Sequence, residues 1–212
     1  MNRTSSRRPQ NGTDLAGLFN AAAKTLMANQ SSLNQADAEN QNHGDNMVRT
    51  FKMISKAMAS QRDAPPSQQL QYASEYLAQN TTSGSGQIYA QGLAQAAQQF
   101  QGQSAVTPDN AMLLIQSLLG GGQPSQQSSA DLLGTLLGGQ QVQQTQGIDL
   151  AALLSAGMTF MSAKQQGQDN VQAALTALMS GGPMAQRTHR QQSGQMVANG
   201  LLQAIARMAQ RR

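Results

Sequence analysis

The sequence predicts an all-α protein. Apolar residues recur every three or four positions along most of the 212 residues, which is the period of an amphipathic helix. No window alternates apolar and polar residues, and β-branched apolar residues are rare, so no strand is expected. Apolar residues make up 39% of the chain, which is enough to bury one core of moderate size.

Eight helices are predicted, most of them with a residue type that favours a helix start. Thr13 and Asp14 are good N-caps for the first helix, and Asp45 or Asn46 caps the second. The further helices begin after Pro65-Pro66, at Gly86, behind Thr107-Pro108-Asp109, at Asp149, at Asp169 and ahead of Val197, with a short ninth helix as an option at Asp131–Leu137.

The apolar stripes of these helices identify the expected core. Each stripe follows the 3.6-residue period, so its members should face inward and be buried together. The residues expected in the core are Leu15, Phe19, Phe51, Ile54, Leu93, Phe100, Ile115, Leu154, Leu175, Leu201 and Ile205.

The net charge is +4, and the basic surplus lies at the two ends of the chain. Such ends either bind a polyanion or serve as solubilising tails. The second interpretation is favoured, because three Tyr, four Phe and no Trp are too few aromatic residues for a binder of single strands. Nucleic acid is therefore not the expected partner. Residues 1–12 are predicted to be a disordered basic tail, and residues 13–212 a single helical domain.

One segment, at about residues 120–146, departs from the helical pattern. It is rich in Gly, Gln and Ser, and it contains a Leu-Leu-Gly pattern that loosely repeats the end of the preceding helix. Two loose copies are too few for a repeat architecture. We predict a flexible insert between two helices of one domain.

Composition excludes several classes of function. Without cysteine, the chain has neither disulfides nor a thiol nucleophile, and its two histidines cannot form a His-rich metal site. No apolar run is long enough to span a membrane, and no apolar stretch follows the basic N-terminus as in a secretory signal. A cytoplasmic location is therefore expected.

A first polar segment, Asp37–Met47, lies between two predicted helices. It contains three carboxylates, several Asn side chains and one of the two histidines, and it ends at a helix start. Carboxylate and amide oxygens suit Mg²⁺ or Ca²⁺, and a helix start favours an anion. The alternative is an ordinary polar connection with a capping Asp or Asn, and spacing alone favours that alternative.

A second polar segment, Thr81–Gly86, also opens a helix. Its small hydroxyl residues and glycines would let backbone N–H groups approach phosphate oxygens, and the helix dipole would add to the attraction. Runs of Ser and Gly are also common in ordinary loops. Two such segments that both lead into helix starts form a stronger signal than either one alone.

These segments resemble a known family. Leu33–Asp37 followed by His43–Met47 is similar to the Leu-x-x-Leu-Asp-(x)-Gly-Asp-Gly-Asp-His-Gly-x-Asn-Met stretch of the nucleotide-binding subunit of dihydroxyacetone (glycerone) kinases, the DhaL or Dak2 domain. Ser83–Tyr89 resembles that family's Gly-Gly-Ala-Ser-Gly-x-Leu-Tyr phosphate loop. Thr188–Gly194, ahead of the last helix, lies where the family has Gly-His-x-Asp-Pro-Gly-Ala. Their order, their spacing and the chain length all agree with the family.

The resemblance implies an antiparallel eight-helix bundle or barrel with a nucleotide site among the loops at one end. In the family, three aspartates hold two Mg²⁺ ions against the phosphates of ADP or ATP, and a separate partner subunit presents the dihydroxyacetone. Carried over by position, the metal ligands would be Asp37, Asn40 and Asn42. The nucleotide-binding residues would be His43, Asn46, Ser83, Gly84, Ser85, Gly86 and His189.

The sequence departs from the family where the metal ions would bind. Asn40 and Asn42 stand where the family's last two aspartates fall, and an amide oxygen brings no negative charge. The connection from Asp37 is two residues shorter, Gln191-Gln192 replaces Asp-Pro, and Gly147–Leu150 has no lysine. These changes predict a metal site that is weakened relative to the family's.

Three functions are consistent with these features, and whether the chain is an enzyme stays open among them. The first is a DhaL-like domain with weak or lost phosphotransfer that binds a nucleotide or another anion, or a protein partner. The second is an active glycerone kinase subunit that coordinates Mg²⁺ through Asp37, Glu39 and Asp45. The third is a structural helical protein whose Gln-rich insert mediates assembly.

Overall fold

The computed structural model describes residues 14–107, 110–120 and 187–210. Several predicted features lie outside these ranges. They are the tail at 1–12, the insert beyond Gly120, the caps Thr13, Pro108 and Asp109, the predicted helices at Asp131, Asp149 and Asp169, and the core positions Leu154 and Leu175.

The described part of the chain is all-helical and contains no strand, as predicted. None of its helices is both long enough and apolar enough to cross a membrane. Its seven helices are α1 (Leu15–Ala28), α2 (Gln30–Gln35), α3 (His43–Ser60), α4 (Pro66–Asn80), α5 (Gly84–Gln99), α6 (Ala111–Gly120) and α7 (Thr188–Ala209).

Helix α2 was not predicted from the sequence. It has six residues, and only one of them, Leu33, is a buried apolar residue. A single apolar residue cannot produce a periodic stripe, so the pattern that reveals the longer helices is missing here. This short helix proves important, because its side chains reach the start of α3.

Two predicted helix starts are wrong by a few residues. Helix α3 begins at His43 with Asn42 in the N-cap position, so Asp45 and Asn46 lie inside its first turn and do not cap it. Helix α5 begins at Gly84, behind Ser83, and not at Gly86. In both cases the helix extends further toward its N-terminus than the apolar stripe that predicted it.

The helices pack around one apolar core. Helix α1 packs against α3 and α7, α4 lies between α3 and α5, and α6 packs on α5. All nine predicted core residues that the structure describes are buried, which confirms the helical register there. The centre is aromatic: the Phe51 ring lies 6.0 Å from that of Phe19 and 4.9 Å, edge to face, from that of Tyr89.

Close contact between α5 and α6 depends on a glycine. A Cβ placed on Gly92 would lie 2.7 Å from the Ser117 carbonyl oxygen, which is too close for any side chain. The absence of a side chain therefore lets the two backbones touch. Buried Ser74 also fixes α4 against α5, because its hydroxyl donates to the Ala90 carbonyl oxygen at 2.7 Å.

Candidate functional site

The first turns of α7 bring together the two polar segments singled out from the sequence. His43 Nε2, at the start of α3, lies 2.9 Å from Ser193 Oγ on α7. Arg190, also on α7, approaches the second segment so closely that a Cβ placed on Gly84 would lie 3.1 Å from its Nη2 atom. Segments that are far apart in sequence therefore meet at one end of the helical assembly. The predicted loop at 188–194 is itself helical, because α7 begins at Thr188.

A pair of histidine rings occupies this junction. The His43 and His189 rings have centroids 4.5 Å apart and are tilted by 55°. Burial, together with the nearby His189 and Arg190, lowers the pKa of His43 to about 4, although Asp37 acts in the opposite direction. His43 is therefore neutral near pH 7 and can share one hydrogen bond with the Ser193 hydroxyl.

Asp37 is buried, and its carboxylate is directed toward groups of the protein itself. Its Oδ1 atom accepts from the Glu39 N–H at 3.2 Å and lies 3.9 Å from His189 Nδ1. Burial raises its pKa, but the Glu39 and Asn42 backbone N–H groups and the nearby His189 outweigh that effect, so the pKa is lowered overall. The carboxylate is thus ionised and stabilised by the protein.

The side chain of Asn34, near the end of α2, binds backbone N–H groups in the first turn of α3. Its Oδ1 atom accepts from the N–H groups of Gly44, at 2.7 Å, and Asp45, at 3.2 Å. The next N–H, that of Asn46, donates to the Asn42 carbonyl oxygen. These donors were expected to face an anion, and most of them are already occupied by the protein. The sequence gives no signal for Asn34, because its partner lies ten residues away in a separate helix.

A glycine at position 44 makes this arrangement fit. A Cβ there would collide with the Gln30 carbonyl oxygen, so α2 and the first turn of α3 can touch only through glycine. In the same turn, the Asp45 carboxylate accepts from the side-chain amides of Gln30 and Asn34.

The second segment forms a tight start for α5. Ser83 Oγ accepts from the Gly86 N–H at 3.1 Å, and Thr81 Oγ1 lies 3.2 Å from Ser83 Oγ. Ser85 is buried beside this turn. Among the described residues, the N–H groups of Gly84 and Ser85 have no hydrogen-bond partner, as is usual for the first residues of a helix. The start of the second segment therefore has two backbone donors without a partner among the described residues, and Gly84 lies against the Arg190 guanidinium.

Arg190 lies within the third motif, but the sequence did not single it out as a site residue. Its Nε atom is buried without a hydrogen-bond partner, and it forms no ion pair with any described residue. It also lies close enough to His43 to lower the pKa of that ring. Its neighbour Arg187 differs, because it pairs with Glu39. Arg190 is thus the unpaired cation that adjoins both segments.

The residues of the first segment do not fit a pair of Mg²⁺ ions. Asn40 Oδ1 accepts from the Asn42 N–H at 3.3 Å, and Asn42 Oδ1 accepts from the Asn46 side chain at 2.6 Å. Glu39 is held by an arginine and Asp45 by two amides, so neither reinforces Asp37. Within the described ranges, no three His, Cys, Asp or Glu side chains are grouped so that they could hold a metal ion.

Comparison with known proteins found one family whose model matches part of the chain. The described part of the chain is a helical domain in which the three segments meet, and the family model of the DAK2 domain matches residues 42–124. The predicted resemblance is thereby confirmed over this stretch, which includes Asn42, His43, Asn46 and the segment at 83–86. Asp37, Asn40 and His189 lie outside it. No curated protein and no solved structure matches the chain.

Proposed function

We propose that this chain is a DhaL-like domain, related to the nucleotide-binding subunit of dihydroxyacetone kinases, that binds ADP or ATP through its phosphates and has weak or lost phosphotransfer. The observation that carries the proposal is the position of Arg190. Its guanidinium is unpaired, adjoins the Gly84 turn and lies close to His43. The DAK2 match supports the nucleotide as the ligand class.

Arg190 is well suited to bind a phosphate. A guanidinium carries a permanent positive charge and presents several N–H donors in a planar arrangement that matches phosphate oxygens. The N–H groups of Gly84 and Ser85 add two backbone donors at the positive end of α5. Together these groups would supply positive charge where the family relies on Mg²⁺.

We expect weak phosphotransfer because the first segment lacks charged side chains at two of its three expected metal-ligand positions. Transfer of a phosphoryl group requires neutralisation of the charge that develops on its oxygens, and metal ions do this in kinases of many classes. Asn40 and Asn42 contribute dipoles instead of charges, and their oxygens already accept hydrogen bonds. One arginine can hold a phosphate in place but does not replace two divalent ions during transfer.

The proposal also includes the overall helical architecture, the location and the partner of the chain. An antiparallel eight-helix barrel formed by residues 13–212, a cytoplasmic location and a partner subunit that presents a substrate would follow from the relationship to the family. The role of the Gln-rich insert in assembly concerns residues outside the described ranges, and no observation favours that alternative.

Calorimetric titration with ADP tests this function. The full chain is titrated in EDTA and in Mg²⁺, and so are Arg190→Ala and the matched control Arg207→Ala, which removes an exposed cation from the other end of α7. We expect ADP to bind in EDTA with at most about a threefold gain from Mg²⁺. Arg190→Ala should weaken binding by about tenfold or more, since hydrogen bonds to charged groups contribute roughly 1.5–3 kcal/mol.

Two results would overturn the proposal. One is that ADP fails to bind under both conditions. The other is that binding depends entirely on Mg²⁺ and is the same in Arg190→Ala as in the unaltered chain.

A further inference from the structure

A row of basic side chains lies along the solvent face of α3, and none of its members belongs to the Arg190 site. Arg49, Lys52 and Lys56 follow one another at intervals of three and four residues, so they share one face of the helix. All three are exposed, and they border a groove of about 420 Å³ between α3 and α4. At the helical rise per residue, the row is about 10 Å long.

The positive charge of this row is only partly balanced by the acidic residue that borders the groove, and no ion pair to the row is present within the described ranges. The ion pairs there join Arg187 to Glu39 and His189 to Asp37, and neither involves the row. Asp45 borders the groove at one end and keeps its negative charge while it accepts from the neutral amide groups of Gln30 and Asn34, so the three cations still outweigh it. The groove is therefore a site of positive potential that an acidic group can approach from solvent.

The groove also has an apolar and aromatic side. Val48 is buried along its floor, and Met53 and Tyr76 are partly exposed. The Tyr76 ring stacks on that of Tyr72, with centroids 6.4 Å apart, and within the described ranges Tyr72 is one of three large hydrophobic side chains that are exposed. Tyr, Met and Arg are the residue types enriched in the centres of protein interfaces.

We propose that this groove docks an acidic amphipathic segment of a partner protein. Carboxylates of that segment pair with the row of cations, and its apolar side chains cover Met53 and Tyr76. A nucleic acid fits less well, because its sugar–phosphate backbone has no apolar side chains for the floor, and three cations span too short a distance for a long polyanion. This proposal is independent of nucleotide binding, since the cations of the row, Met53 and Tyr76 are not among the residues of the Arg190 site.

Fluorescence anisotropy with two labelled probes tests the proposal. One probe is a 20-residue peptide with Glu at helical positions i, i+3 and i+7 and Leu on the adjoining stripe, and the other is a 20-nucleotide single strand. The full chain is compared with Arg49→Glu/Lys52→Glu and with the control Lys24→Glu/Arg62→Glu, which changes the same charge at exposed positions outside the groove. A third variant, Tyr76→Ala, removes the aromatic wall without changing the charge.

We expect the peptide to bind the unaltered chain and the control with affinities within about twofold of each other. The groove variant should bind at least tenfold more weakly, and Tyr76→Ala should lose about threefold or more. Absence of peptide binding would overturn the proposal, as would equal losses in the groove variant and the control. Tighter binding of the single strand than of the peptide would overturn it as well, and would identify the groove as a polyanion site instead.

Discussion

His43 Nε2 lies 2.9 Å from Ser193 Oγ, and this contact joins residues that are 150 positions apart in the chain. It connects the first turn of α3 to the first turns of α7 in a buried environment. The His189 ring lies beside it, so two imidazoles and a hydroxyl form the centre of the candidate site. The protonation state of His43 is consequently linked to the stability of this junction.

We expect acid to destabilise the protein through His43. The pKa of His43 is about 4 in the folded state, against 6.5 for an exposed histidine, so the unfolded chain binds the proton more tightly. Stability should therefore fall as the pH drops from about 6.5 toward 4, by roughly 2–3 kcal/mol at pH 4.5. Asp37 does not offset this loss, since its lowered pKa affects stability only at still lower pH.

Urea unfolding of the unaltered chain and of His43→Gln, at pH 7.5 and at pH 4.5, measures this effect. The glutamine variant keeps a polar side chain opposite Ser193 but does not titrate, so most of its pH dependence in this window should disappear. Equal losses of stability in both proteins would show that the titrating group is not His43.

Restoring carboxylates to the first segment should restore metal dependence. Asn40→Asp/Asn42→Asp places two charges beside Asp37, and divalent cations are attracted mainly by charge. If the site is a weakened kinase site, Mg²⁺ should increase ADP affinity in this variant by tenfold or more, measured by calorimetric titration. Asn20→Asp/Asn199→Asp provides the control, because it adds the same charge at exposed positions outside the three segments. No gain beyond the control would indicate a pocket that serves another ligand.

Truncation of Phe51 should strongly destabilise the core. Its ring is fully buried between those of Phe19 and Tyr89, so Phe51→Ala leaves a cavity that its neighbours can fill only in part. The free energy of unfolding should fall by about 3–5 kcal/mol in a urea titration. Met27→Ala serves as the comparison, because Met27 is 47% exposed, and it should change stability by less than about 0.5 kcal/mol. Similar losses in the two variants would contradict the assigned register.

Gly86 should be intolerant of a side chain. A Cβ there would collide with Thr81 Oγ1 and lie 2.9 Å from Ser83 Oγ, so Gly86→Ala must break the hydroxyl arrangement that starts α5. We expect a loss of about 1–3 kcal/mol in thermal or urea unfolding, together with weaker ADP binding. Gly120→Ala is the matched control, since nothing lies within 4 Å of the added carbon. A stable Gly86→Ala protein with unchanged ADP binding would argue against this turn as part of the site.

The fold class and the register of most described helices follow from the amino-acid sequence alone. Apolar residues at the helical period are local information, since the side of a helix that is buried depends on spacing. That spacing predicts Leu15, Phe51, Leu93 and Leu201 to be core residues, and each of them is buried. The family resemblance likewise depends on short contiguous motifs, and the DAK2 match at 42–124 bears out that part of it.

Which polar groups remain available to a ligand depends instead on the packing of the helices. The sequence of the first segment shows carboxylates and amides, but not that Asn34 covers the start of α3 or that Glu39 is held by Arg187. It does not show that Arg190 reaches Gly84 either. Hydrogen bonds and ion pairs between distant segments form only where the fold brings those segments together, and no local pattern records that arrangement. Periodicity specifies one helix face at a time, whereas a site requires several faces to meet.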